Sequence, residues 1–576
     1  MSNLKRVSTG IISFFVSTML LSCAQSQNEN QDTSSNSSAP AIAKAEQDTQ
    51  VKYRKEAAKR TVSQSSGVAR QTAEMSMAPP LMYAPQEQMQ ENYAQVKDNG
   101  VIRTERQPLS TFSIDVDTGA YSNMRRFLES GRLPPSDSIR LEEMINYFVY
   151  EYDSSNTSPE KPFQWTKQMV KSPWKKGSYL LQLGLQTYKP AVKREISNNL
   201  VFLIDVSGSM RNEDKLPLLK KSIKLMLNNM SSDDRVAFVV YAGASGVVLP
   251  PTKVSEQVKI VSALEQLQAG GSTNGGEGLK LAYQLAAQHF KKDGNNRVIL
   301  ATDGDFNVGI VNQSELIDFI KAKQTSGIYL TTLGFGQGNY NDHLMEQLAN
   351  KGNGQYAYID SLLEAKRVLI DRQASALDVM AKDVKIQVEF NPAVVAEYRL
   401  IGYQNRKLRD EDFENDKVDA GEVGVGHSVT ALYEITLTDS ELRRLPELRY
   451  GQKNSASGNK KELGFLKLRY KKPDSDKSTE LAEAIELESV LSDEMSPSFR
   501  LASAVTAFGM WLRDSDYLED MSIMDIEQQA KSAVGVDPFG ADQQLVQLIG
   551  LARALKPSKL EDSASERHSS GVVIER

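Results

Sequence analysis

Apolar runs alternating with segments of helical spacing dominate the middle of the chain. Residues 200–204 and 236–241 are apolar with little interruption, and Leu216, Leu219, Ile223 and Met226 recur between them once per helical turn. Further strand candidates are 247–249, 298–301, 328–333 and 356–359, with helical stretches near 256–268, 276–290, 314–324, 342–350 and 362–376. Near-continuous apolar strands divided by helices need cover on both faces, so residues 196–377 predict a doubly wound, mostly parallel α/β domain.

The flanks follow different rhythms. In 97–195, residues 111–114 predict a strand and 121–128 a short helix; 141–150 predicts a second, amphipathic helix, and Tyr179, Leu181, Leu183 and Leu185 alternate as in a half-buried strand. This is an α+β region. In 378–556, Val384, Ile386, Val388 and Phe390 alternate with Lys385, Gln387 and Glu389, which predicts a strand with one wet face. Similar alternation occurs at 429–437 and around Leu466, Leu468 and Tyr470, before Pro497 opens a helix carrying Leu501, Val505, Phe508 and Leu512 on one side. Neither flank has enough strands for a comfortable two-layer core, so the α/β domain is expected to be an insertion into one split domain, with 179–185 and 384–390 paired in one sheet.

At the start of the chain, Lys5 and Arg6 precede an apolar stretch, 11–21, too short to span a membrane stably. It ends in Leu20-Leu21-Ser22-Cys23, an order that resembles the lipobox of bacterial lipoproteins. The expectation is a signal peptide at 1–22 and acyl chains on Cys23. Residues 23–96, rich in Gln, Ser, Asn and Ala with Pro79, Pro80 and Pro85, would form a disordered tether, and 557–576 a disordered tail. No later segment approaches the run of about 18 apolar residues that a spanning helix requires, so the lipid would be the membrane attachment. The expected location is the bacterial cell envelope; Ala24 in place of Asp after Cys23 favours the outer membrane in a Gram-negative source.

Charge narrows the partners. With 68 basic and 74 acidic residues, a net −6, no overall field holds a polyanion, and nucleic acid is excluded as an expected partner. Cys23 is the one cysteine, so disulfides within the chain and thiolate metal sites elsewhere are impossible. His289, His343, His427 and His568 show no metal-ligand spacing.

The first strand of the α/β domain runs into Asp205-Val206-Ser207-Gly208-Ser209, placing these oxygens at the carboxyl edge of the sheet, where ligands of open α/β folds bind. Asp-x-Ser-x-Ser alone is a weak signal. Two companions strengthen it: the glycine-rich 270–276, carrying Ser272 and Thr273, and Thr302-Asp303-Gly304 at the end of another buried strand. Together they resemble the metal-ion-dependent adhesion site of von Willebrand factor type A (vWA) domains. Further stretches, Ser110 to Thr118, Arg140 to Phe148 and Ala301 to Gly309, are similar to bacterial vWA lipoproteins with an N-terminal region and an uncharacterised C-terminal domain.

The resemblance implies a cation held by Ser207, Ser209 and Thr273, with Asp205 and Asp303 acting directly or through water. An all-oxygen set suits Mg²⁺, with Mn²⁺ or Ca²⁺ as substitutes, and argues against Zn²⁺. The alternative, that Asp205 and the serines cap the helix near Leu216, leaves Thr273 and Asp303 without a role. Asp117-Thr118-Gly119 matches the presentation of an aspartic-protease carboxylate but lacks a second copy, so a turn is the better account. Ser207 has neither an evident His partner nor a Gly-x-Ser-x-Gly elbow. The expected function is therefore non-enzymatic binding of a protein partner that offers an Asp or Glu carboxylate. The alternatives are an accessory subunit of a metal-insertion or chaperone-type assembly, or a metal-dependent hydrolase.

Overall fold

The computed structural model describes residues 91–190, 196–271, 275–304, 306, 313–324, 326–373, 377–446, 459–535 and 537–556. Cys23, the signal segment, Thr273 and the tail lie outside the described residues.

The chain opens with β1 (Ile102–Arg103), β2 (Leu109–Ser113), α1 (Gly119–Glu129), α2 (Leu141–Asn146), β3 (Phe163–Lys171) and β4 (Tyr179–Thr187). The α/β portion follows as β5 (Asn198–Asp205), α3 (Leu216–Leu227), β6 (Arg235–Tyr241), β7 (Ser245–Lys253), α4 (Gln257–Glu265), α5 (Gly275–Gln288), β8 (Asn295–Thr302), α6 (Gln313–Gln324), β9 (Tyr329–Phe335), α7 (Asp342–Lys351), β10 (Tyr356–Ile359) and α8 (Leu362–Lys366). Then come β11 (Val379–Phe390), β12 (Val395–Ile401), β13 (Gly421–Gly424), β14 (Ser428–Leu437), β15 (Glu462–Lys471), β16 (Ser478–Glu486), α9 (Leu487–Val490), α10 (Pro497–Leu512), α11 (Ile523–Ala533) and α12 (Ala541–Leu555).

The α/β portion is doubly wound. Its sheet runs β10-β9-β8-β5-β6-β7, parallel except for the antiparallel edge strand β7. Leu200, Phe202 and Ile204 of β5 face one core with α3 and α4, while Val201 and Leu203 face another with α5 and α7. Burial on both faces is what the continuous apolar strands require.

The flanks do build one split domain, but the pairing differs from the expected one. β4 and β11 lie in separate sheets: β1-β12-β14-β4-β3, and β13-β11-β15-β16, with β2 pairing residues 385–389 of β11 beyond the stretch that β13 pairs. Each sheet combines strands from before and after the insertion, with Leu185 opposite Val429 in one and Phe112 opposite Ile386 in the other. The two sheets then face each other, Leu181, Leu183 and Leu185 meeting Ile386, Val388 and Phe390 in one core. An alternating strand specifies which face is buried but not whether its partner lies beside it or across the core.

Four further expectations are corrected. β4 is buried from Leu180 onward, because α10 and its neighbours cover the side of the sheet that faces away from the sandwich. Gly184 admits the Tyr152 ring at a distance no Cβ would allow. For the same reason α10 is buried all round from Leu501 to Met510 and not on one side, enclosed by α2, α11 and α12. On β11 only Glu389 is exposed: Lys385 donates to the Asp412 and Asn415 carbonyls and Gln387 to Thr111, under the loop that follows β12. Helix α2 stops at Asn146, short of Tyr150.

The tether also ends earlier than Val96. Glu91 receives Arg126 through two hydrogen bonds of 2.8 Å and the Gly338 N–H at 3.0 Å, and Asn92 bridges Asn341 beside α7. The insertion leaves and returns at one point: Tyr188 and Asp378 accept main-chain bonds from the adjacent residues Gly426 (2.9 Å) and Val425 (3.0 Å).

Candidate metal centre

β5 is a central strand, flanked by β8 and β6, and its carboxyl end delivers Asp205 to the sheet edge. The chain then turns sharply. Asp205 Oδ1 accepts the Ser207 N–H at 2.8 Å, an Asx turn that lifts both serines above the edge. Gly208 donates to the Gly271 carbonyl (3.1 Å) and Gly270 to that of Val206 (2.8 Å), so the glycine-rich loop is stitched to the first motif by main chain. This brings the described end of that loop beside Ser207 and Ser209, whose hydroxyls are 2.9 Å apart.

Asp205 is fully buried, and its Oδ2 accepts hydrogen bonds from Thr302 Oγ1 (2.9 Å) and Tyr241 OH (3.2 Å). Thr302 ends β8 and precedes Asp303, also buried, which accepts Lys215 Nζ on Oδ2 at 2.9 Å. Burial pushes the Asp205 carboxyl up to about 6; the hydrogen bonds from Ser207 oppose the rise and the charge of Asp303 adds to it. The serines do not cap the following helix: Lys215 stands at the N-cap of α3, and its side chain goes to Asp303 instead.

These residues fit a hard cation. Two buried aspartates with one lysine leave a negative charge that a cation would compensate, and two neighbouring hydroxyls supply neutral oxygen ligands. Both Asp205 oxygens are engaged by protein donors, which suits an aspartate that acts through water. Gly208 is exposed and Ser209 half-buried, so the edge opens to solvent there. His343 belongs to another cluster, its Nε2 paired with Gln347.

Sequence reasoning missed Lys215, Tyr241 and Thr302. Thr302 stood inside the quoted Thr-Asp-Gly run, and its place at a strand end beside Asp303 was the signal. Lys215 and Tyr241 carried none, since a lysine before an amphipathic helix reads as solvated and a tyrosine ending a buried strand reads as core. Asp115 Oδ1 accepts the Asp117 N–H at 2.9 Å, and both aspartates also hold Arg406.

An α/β sheet of this order, carrying Asp-x-Ser-x-Ser on its central strand, defines a vWA domain. The description "von Willebrand factor type A domain" matches residues 199–371, "von Willebrand factor" matches 87–182, and "Uncharacterized protein YfbK, C-terminal" matches 375–555. The Escherichia coli (strain K12) "Uncharacterized protein YfbK" is 44% identical over 80% of this chain and 80% of its own length. The chain belongs to that family of vWA proteins with an uncharacterised C-terminal domain. Human inter-alpha-trypsin inhibitor heavy chain H3 is 24% identical over 43% of this chain and 29% of its own length. Among solved structures, a von Willebrand factor type A protein from Catenulispora acidiphila covers 69% of this chain and 91% of its own at 14% identity, with a TM-score of 0.39.

Proposed function

We propose that this protein is an envelope lipoprotein whose vWA domain binds a partner protein by coordinating one of the partner's carboxylates through a divalent cation. The observation that carries the reading is the convergence of Asp205, Ser207, Ser209 and Asp303 at one sheet edge, where Ser209 is half-buried beside the exposed Gly208 and Ser207 and the two carboxylates are buried beneath. Mg²⁺ is the proposed cation, held by Ser207, Ser209 and Thr273 with Asp205 and Asp303 behind. Neutral hydroxyl ligands leave most of its charge for an incoming Asp or Glu. A groove of about 620 Å³ beside Met210 is lined by Arg211, Lys220, Lys221 and Lys224 against Glu213 and Glu265, a net positive wall that suits an acidic partner surface. Among the described residues no helix is long and apolar enough to cross a membrane, so the proposed anchor is lipid on Cys23.

The test is capture of partners from detergent-solubilised envelopes by the purified protein, in Mg²⁺ and in chelator, beside Thr273→Ala and Asp303→Ala. The expected result is a set of proteins retained by the wild type in Mg²⁺ and lost in the other three conditions, with circular dichroism unchanged. Retention that ignores both chelator and the variants would place recognition on another surface.

A further inference from the structure

We propose that Lys215 sets the charge of the cation site, keeping it one unit more positive than its aspartates alone would, so that a bound cation requires a carboxylate partner to reach neutrality. The inference rests on the metal-dependent reading above and deepens it.

The fold is shaped around this lysine. Its main chain is fixed at the start of α3, donating to the Asn212 carbonyl and accepting from the Leu219 N–H. Its side chain is 5% exposed and ends 2.9 Å from Asp303 Oδ2. The aliphatic stem crosses Gly336, where φ is +71° and a Cβ would stand 2.3–2.7 Å from three of the lysine's methylenes. Only glycine at 336 leaves room for Lys215 to reach the site. A buried ammonium is retained where a carboxylate answers it, and here that carboxylate belongs to the site.

The consequence follows from counting charges. Asp205 and Asp303 contribute two negative charges and Lys215 one positive; a divalent cation then leaves the site with one positive charge, and a partner carboxylate brings it to zero. Without Lys215 the cation alone neutralises the site, and the partner's carboxylate makes it negative. Asp205, Asp303 and Lys215 are all buried beneath the open edge, and net charge among buried groups is costly. Lys215 therefore weakens the cation alone and strengthens the carboxylate that joins it. A lysine that only braced Asp303 would strengthen both.

The test measures Mn²⁺ binding to the full folded protein by electron paramagnetic resonance, with and without acetate at constant ionic strength. Wild type is compared with Lys215→Met and with Lys215→Gln, which keeps an N–H donor for Asp303 but no charge. Circular dichroism verifies the fold, and Lys215→Gln carries the test if Lys215→Met does not fold. The expected result is Mn²⁺ bound about tenfold more tightly by the variants without acetate. Acetate should then enhance Mn²⁺ binding in the wild type and do so less, or not at all, in the variants. Lys215→Gln binding Mn²⁺ with equal or lower affinity than wild type, or keeping the full acetate enhancement, overturns the assignment. A wild type that binds no Mn²⁺ refutes the metal-dependent reading itself, and this inference with it.

Discussion

Arg140, at the start of α2, donates to both carboxylate oxygens of Asp342, at the start of α7, over 2.5 and 3.2 Å, with both residues out of contact with water. The pair joins the split domain to the inserted one. Glu143 and Glu346 also approach the same guanidinium, and Tyr356 donates its hydroxyl to Asp342 at 2.5 Å. Removing Arg140 leaves several buried carboxylates without their counter-ion. Arg140→Met is expected to lower unfolding free energy by about 3–5 kcal/mol, the usual cost of stranding one half of a buried pair. Urea denaturation monitored by tryptophan fluorescence measures it, and a loss within experimental error would mean that these carboxylates hold protons in the fold.

Glu142, next to that cluster, gives a pH signature. Burial, aided by the charge of Asp115, pushes its carboxyl up to about 7 from an ordinary 4.5, and its Oε2 has no hydrogen-bond partner among the described residues. Below pH 4.5 both folded and unfolded chains hold the proton; between 4.5 and about 7 the unfolded chain releases it and the folded chain does not, so this group's contribution to stability falls as pH rises. Above that window the fold carries a buried charge costing about 3 kcal/mol. Glu142→Gln should therefore match wild type in acid and exceed it above neutral pH, with thermal melts across the range as the measurement. A constant difference at every pH would contradict it.

Gly304 follows Asp303 with φ +87°, and a Cβ there would stand 2.4 Å from the Asn341 nitrogen. Gly304→Ala combines backbone strain with a main-chain collision and should cost about 2 kcal/mol or more. Because Asp303 would shift with it, Mn²⁺ affinity should drop as well. A melting temperature and an affinity both at wild-type values would show that the loop yields freely.

The proposed anchor is tested in cells. Cys23→Ser should accumulate as an uncleaved precursor or a soluble form, and lose incorporation of labelled fatty acid. Wild-type partition into detergent with the signal still removed would end the lipoprotein reading.

How much of this could be read from the sequence differs by element. The α/β domain was legible because its central strand is apolar over 200–204 and helices such as α3 repeat their own period, so local signals agree with the tertiary outcome. The edge position of Asp205, Ser207 and Ser209 followed from strand direction alone. The split domain was half legible. Alternation marked β4 and β11 as strands, but Lys385 and Gln387 looked solvated because the loop that buries them lies more than twenty residues on and carries no periodic signal. Lys215 escaped for a related reason: its partner, Asp303, lies 88 residues away.

The shared turn at Val425 and Gly426, which holds both Tyr188 and Asp378, bears on how the chain is assembled. On a polypeptide growing from its N-terminus, β1 and β2 wait for partners: Thr111 takes its bond from Gln387, 276 residues later. Were the intervening segment flexible, that long loop would have to close at full entropic cost. The inserted domain has its own two-sided core and can form first. Once folded, it presents the two severed ends of the sandwich side by side, and what remains to be closed is the short distance between neighbouring points on one rigid body.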